Sequence, residues 1–331
     1  MTLKNSITKV VFMGSPDLAG TILKVLLEYK NLVEVTGVVT QPDKPAGRGK
    51  KITPPPVKII AQQHNLPVLQ PIKMKTTETS AQIQALSPEL IIVAAYGRIL
   101  PTSILNLPSL GCINVHASLL PRFRGASPIA HTILHGDTEG GVSIMHMDEG
   151  LDTGPVYAMR AIKIDENETG HTLAEKLAKL GADLLIEVLP KIISKQLLPS
   201  PQAIEGVSYA KLLNKNDGWL DFTKDANELA RQVRALIPWP LAFITRKNER
   251  IQVLAAHALD GQGETGHVVA ANSAGVAVAC KRGVLVLDTV KPAGKSAMSA
   301  ASWVAGRAIA IGDAFNLSSN QVPDTAHAGK R

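Results

Sequence analysis

From Lys9 to about residue 195 the chain alternates short β-branched apolar runs with stretches of helical periodicity, and few folds accept that alternation. The first run, Lys9–Ser15, reads KVVFMGS. Pro16 follows where the first turn of a helix tolerates proline, and Leu18, Ile22, Val25 and Leu26 recur at helical spacing over 17–29. Further strands are expected at Val33–Gln41, 67–70, Leu90–Tyr96, 111–117, 141–147 and 155–164. Helices are expected at about 57–65, 76–86, 127–136 and 171–195. Strands that are apolar along their whole length are buried on both faces. The pattern therefore predicts an α/β fold with a mostly parallel sheet covered by helices. Reactive residues in such sheets gather at the carboxyl ends of the strands.

The pattern changes in the second half. Leu197–Ser208 holds Pro199 and Pro201, lacks periodicity and reads as a linker. A helix at about 225–236 and the breaker Pro238-Trp239-Pro240 come next. Short β-rich segments then follow at 241–246, 250–258, 266–271, 275–280 and 283–290, separated by turn signals such as NSAG and KRG. Such a run of short strands suggests a small antiparallel barrel. A last helix is expected at about 299–309. The expected organisation is one domain over 1–196, a linker over 197–208, a second domain over 209–315 and a polar, disordered tail over 316–331.

A length of 331 residues and a hydrophobic share of 45% suit two soluble domains. No apolar run is long enough for a bilayer, so no membrane partner is expected. The N-terminus runs into a strand without the apolar core of a signal peptide. Cys112 and Cys280 lack CxxC spacing, which points to a reducing cytoplasm and no structural zinc. A monomer is expected. The net charge of +7 fits a polyanionic partner without requiring one.

The chemistry concentrates in two stretches, GCINVHASLLPRFRGASP at 111–128 and DEGLDTGP at 148–155. Asn114 and His116 are two residues apart on a strand, so their side chains share one face. Asp152 lies on a glycine-bounded loop. An amide, an imidazole and a carboxylate together polarise a carbonyl, carry positive charge beside it and move a proton. That is the equipment for acyl or formyl transfer to an amine without a metal. Rival readings are weaker. Gly14-Ser-Pro-Asp-Leu-Ala-Gly20 has Pro16 where a dinucleotide fingerprint needs its second glycine. His131 and His135 have helical i, i+4 spacing but no third metal ligand, and His146 reads as core or as support for the site. Ser118, His116 and Asp152 would make a hydrolase triad, yet Ser118 is not on a GxSxG elbow.

A third feature is the loop Gln41–Lys58. Lys44, Arg48, Lys50, Lys51 and Lys58 stand there against one acid, Asp43, and glycines flank Arg48. Long cationic loops of this kind suit phosphate contacts on a nucleic acid, with Arg48, Lys50 and Lys51 at the tip. Residues 208–331 add 15 Lys/Arg against 10 Asp/Glu.

With these motifs in hand, the chain resembles the methionyl-tRNA formyltransferases. The likeness runs through VVFMGSPDLAG, VVTQPDKPAGRGKK with PPPVK, AAYGRILP, GCINVHASLLPRFRGASPI, DEGLDTG, NDGWLDF, PWP and VKPAGKSAMSA, from about residue 9 to 311. The Asn-x-His and Leu-Asp-Thr-Gly elements are shared with formyltransferases acting on glycinamide ribonucleotide or aminosugar nucleotides, which remain the alternative. The QPDKPAGRGKK insertion favours the tRNA enzymes. The resemblance implies a Rossmann-like formyltransferase domain followed by an OB-like β-barrel. It implies 10-formyltetrahydrofolate as co-substrate and initiator methionyl-tRNA as acceptor. It makes Asn114, His116 and Asp152 the catalytic trio and puts Ser118, Leu119, Leu120 and Pro121 at the folate. Tyr96 to Leu100 would flank the pterin, and Arg48 would contact the acceptor end of the tRNA.

Overall fold

The computed structural model describes residues 7–46, 49, 51–247 and 249–317. Most of the tail, 318–331, lies outside the described residues. The strands of the first part form one seven-stranded sheet. They are β1 (Thr8–Gly14), β2 (Val33–Val39), β3 (Val68–Leu69), β4 (Leu90–Ala94), β5 (Cys112–His116), β6 (Glu139–His146) and β7 (Val156–Lys163). Their spatial order is β7-β6-β5-β4-β1-β2-β3. The ladders from β3 through β5 are parallel, and β6 and β7 add antiparallel at one edge. Every residue of β4 and β5 is buried; β4 accordingly reads as an unbroken apolar run, and β5 does so apart from Asn114 and His116.

The helices follow from the same pattern. The first, α1 (Asp17–Glu28), buries Ile22, Leu23 and Leu26, and Pro16 stands at its N-cap in an extended conformation. The next two are α2 (Pro56–Gln63) and α3 (Thr77–Ala85). Thr76 caps α3 by accepting a 3.1 Å bond from the Thr79 amide. The turn after β1 is tight: a Cβ on Gly14 would lie 2.7 Å from the Ala94 carbonyl oxygen. That close approach of two strands accounts for the glycine without any bound dinucleotide. The predicted strands and helices of this part appear within a few residues of their expected ends. Several short elements were not foreseen, among them a helix at Thr102–Leu105 and a pairing of Arg124–Gly125 with Tyr209–Ala210. The basic loop also contains a short antiparallel hairpin, Lys44–Ala46 with Lys51–Thr53.

Chain contacts divide the molecule into two units. The first comprises residues 1–128, 139–163 and 173–211, and the second residues 129–138, 164–172 and 212–331. The second unit holds an antiparallel sheet of β8 (Ala242–Arg246), β9 (Glu249–Leu259), β10 (Val268–Asn272), β11 (Gly275–Ala279) and β12 (Val284–Lys291). The order is β8-β9-β12-β11-β10. Its core packs Leu229 and Val233 against Val253, Leu285, Leu287 and Trp303. Among the described residues, no helix is long and apolar enough to cross a membrane.

Candidate active site

Asn114 and His116 end β5 and are buried, with 9% and 5% of their surface exposed. Asp152 reaches them from the loop after β6, across 38 positions of sequence. Asn114 Nδ2 donates to Asp152 Oδ1 at 3.3 Å. His116 Nδ1 stands 3.7 Å from Asp152 Oδ2. The structure thus brings together all three residues that the motifs singled out.

Two backbone groups, unseen in the sequence, complete the arrangement. The Phe123 carbonyl lies 3.0 Å from His116 Nε2. A carbonyl oxygen only accepts, so Nε2 carries a hydrogen and donates it. The other ring nitrogen, Nδ1, faces the carboxylate. At 3.7 Å that pair is too long for a hydrogen bond but within ion-pair distance. The Gly125 amide donates to Asp152 Oδ2 at 2.8 Å. Gly125 has φ +117, and a Cβ there would lie 2.7 Å from the Ala210 carbonyl oxygen, so only glycine fits. Phe123 and Asp152 also take left-handed backbone, at φ +58 and +52. Non-glycine residues adopt this at a cost, and both examples lie against His116.

Ser118 is buried, and its hydroxyl donates to the Arg122 carbonyl at 2.6 Å. A hydroxyl has one hydrogen to give, so this serine is not hydrogen-bonded as a triad nucleophile. The Ser118 carbonyl accepts from the Ser143 hydroxyl, which in turn accepts from the Leu120 amide. Leu120 is buried too, whereas Leu119 and Pro121 are partly exposed. His146 is 3.5 Å from the Tyr157 hydroxyl. Among the described residues, no group of three His, Cys, Asp or Glu is arranged for a metal ion.

The first unit also holds a cleft of about 610 Å³. Ile99, Leu100 and Pro101 line it, with Lys75, Thr76, Thr77, Ser80, Thr102, Ser103 and Glu149. Tyr96 is buried beneath this loop, with its hydroxyl on Met74 Sδ, and burial pushes its phenol up to about 12. The root of the basic loop is fixed at the carboxyl edge of the sheet. Lys58 Nζ donates to both oxygens of Asp43, at 2.9 and 2.8 Å, and to Gln70. Gln70 donates to Asp43, and Gln41 to the Tyr96 carbonyl. The hydrogen bonds from Gln70 and Lys58 hold the Asp43 carboxyl below its ordinary range. Lys51 is exposed on the hairpin. Arg48 and Lys50 lie outside the described residues.

The family model described as "Formyl transferase" matches residues 8–189, and "Formyl transferase, C-terminal domain" matches residues 212–308. Among curated relatives, the methionyl-tRNA formyltransferase of Myxococcus xanthus is 49% identical over 92% of this chain and 96% of its own length. That of Halorhodospira halophila is 46% identical over 92% and 98%. Solved structures share the fold at lower identity. WlaRD, a sugar 3N-formyltransferase, superposes with a TM-score of 0.61 at 18% identity, covering 88% of this chain and all of its own. HypX from Aquifex aeolicus, in complex with tetrahydrofolic acid, gives 0.62 at 16% identity over 90% of this chain, which spans about half (47%) of that longer protein. Two family models matched in order, and near relatives aligned almost end to end, leave one assignment: this chain belongs to the methionyl-tRNA formyltransferase family.

Proposed function

We propose that the chain transfers the formyl group of 10-formyltetrahydrofolate to the α-amine of initiator methionyl-tRNA, giving N-formylmethionyl-tRNA for translation initiation. The observation that carries this reading is the convergence of Asn114, His116 and Asp152 at one strand end, in a chain whose relatives bear that name. Formyl transfer requires a place for negative charge on the formyl oxygen and a route for the proton of the attacking amine. Asn114 gives one Nδ2 hydrogen to Asp152 and has a second for the oxyanion. His116, protonated at Nδ1, supplies positive charge beside it. Each such donor in a sheltered site is worth roughly 3 kcal/mol. Asp152 stabilises that cation and takes the proton from the amine as the new N–C bond forms. It returns the proton, directly or through water, to N10 of the folate as the old C–N bond breaks.

The cleft lined by Ile99, Leu100 and Pro101 falls within the volume range of about 300–1,000 Å³ typical of small-molecule sites. Ile99, Leu100 and Pro101 give it an apolar wall suited to a ring system. Leu119 and Pro121 contribute exposed surface to the same ligand, and Ser118 and Leu120 hold their loop in shape. Arg48, Lys50 and Lys51 contact phosphates near the acceptor end, and the basic second domain, read as OB-like, adds to that grip. The protein works in the cytoplasm as a monomer. The test is formylation of charged initiator tRNA with 10-formyltetrahydrofolate, beside charged elongator tRNA, glycinamide ribonucleotide and an aminosugar nucleotide. Turnover confined to initiator tRNA supports the reading. Equal turnover of a small amine overturns it.

A further inference from the structure

Residues 197–208 join the two family-matched segments, yet their side chains reach into the site. Ser200 exchanges two backbone hydrogen bonds with Val156, at 2.8 and 2.9 Å. That pairing sets Gln202 against the Asp152 loop. Gln202 Nε2 donates to the Asp152 carbonyl at 2.8 Å and to the Gly154 carbonyl at 2.7 Å. Gln202 Oε1 accepts from Arg124 Nε at 3.0 Å and from Arg124 Nη2 at 2.8 Å. All four hydrogen-bonding positions of one carboxamide are thereby used. Farther along, the Ser208 hydroxyl accepts from the Phe123 amide, and the Ser208 and Ala210 carbonyls accept from the Arg124 and Ala126 amides.

These bonds close a circuit around the carboxylate. Arg124 precedes Gly125, whose amide holds Asp152 Oδ2. Phe123, whose carbonyl holds His116, precedes Arg124. Gln202 links that loop to the left-handed turn at Asp152. A left-handed non-glycine residue persists only where its surroundings over-determine it, and two bonds from a single amide do so here.

We propose that Gln202 is a positioning residue for Asp152, so that the segment between the domains is part of the catalytic machinery. This rests on the formyl-transfer reading above. Gln202 touches no reacting atom; it fixes the backbone that aims the carboxylate at His116. Only a carboxamide serves both sides. A carboxylate at this position keeps Arg124 but sets an oxygen against two carbonyls, and a thioether loses every bond.

The test uses full-length Gln202→Glu and Gln202→Met, assayed with saturating tRNA and folate. We expect kcat to fall about ten- to a hundredfold, the scale of a small misplacement of a reacting group. KM for both substrates stays within about twofold, since uniform binding is untouched. In an Asp152→Asn background, Gln202→Met costs nothing further, because the carboxylate it aims is gone. A kcat within about threefold of wild type, or an equal loss in the Asp152→Asn background, overturns the proposal. A second readout is independent of the reaction. Exchange of the Gly125 amide, followed by NMR, speeds up in Gln202→Met if the turn at Asp152 is released, and an unchanged rate refutes it. Absence of formyl transfer by the wild-type chain refutes the functional reading alone, and amide exchange then decides Gln202 by itself.

Discussion

Replacing Asp152 by Asn keeps the shape of the side chain and removes its charge. The carboxylate stands 3.7 Å from His116 Nδ1, and both side chains are shielded, at 15% and 6% exposure. With an effective dielectric near 20, a pair at that separation interacts by about 4 kcal/mol. Losing it from the transition state slows the reaction by about three orders of magnitude. The amide brings a second penalty. If its oxygen stays on the Gly125 amide, its NH₂ meets Asn114 Nδ2, donor against donor. Asn114 must then turn its own amide and withdraw the hydrogen meant for the formyl oxygen. We therefore expect kcat to fall at least about a thousandfold, while the Kd for methionyl-tRNA moves by less than about threefold. Single-turnover formylation resolved on acid gels gives the rate, filter binding gives the affinity, and thermal melting checks the fold. A rate within about tenfold of wild type would falsify the role of the carboxylate, since neither effect is that small.

Gly125→Ala forces a side chain into left-handed backbone and against the Ala210 carbonyl, and roughly 2 kcal/mol of stability is lost. A melting temperature equal to wild type contradicts this. Burial pushes the Cys112 thiol up to about 12 and the Cys280 thiol to about 11. Neither reacts with Ellman's reagent at pH 8 until guanidinium unfolds the protein, and rapid native labelling contradicts the packing. Lys58→Met removes the cation that binds Asp43 and Gln70, so trypsin cuts faster after the exposed Lys51 of the same loop than in wild type; an unchanged cleavage rate contradicts the anchor. The Asp43 carboxyl, depressed by Gln70 and Lys58, contributes stability above its ordinary value of 3.8. That contribution disappears as the pH falls through its lower folded value. The same trypsin difference therefore persists from neutral pH down to about 5, and its loss near neutrality contradicts the assignment.

Local periodicity carried most of the fold. The apolar runs within β1 and β4 foretold strands buried on both faces, and the short strands of the second unit appear close to their expected limits. Period-two geometry also put Asn114 and His116 on one face. Other features had no local signal. The approach of Asp152 to Asn114 is a contact across 38 positions, and only motif and resemblance pointed to it. The Phe123 carbonyl and Gly125 amide are backbone groups, so composition does not reveal them. Gln202 sits in a proline-bearing stretch without periodicity, and it is placed by the pairing of Ser200 with Val156 of β7, a contact distant in sequence. Residues 129–138 and 164–172 cluster with the second unit, a grouping set by contacts distant in sequence. Ser118 was prominent in its motif, yet its hydroxyl serves the turn rather than a reacting atom.

The central claim is that Asn114, His116 and Asp152 act as one unit on the transferred formyl group. The direct measurement is the single-turnover rate of formyl transfer for Asn114→Ala, His116→Ala and Asp152→Ala, each alone and in every pair. Groups that share one proton path and one oxyanion fail together, so each single change removes nearly all the rate and the pairs lose little more. Losses that multiply from single to double variants, or one single variant near the wild-type rate, would contradict the account.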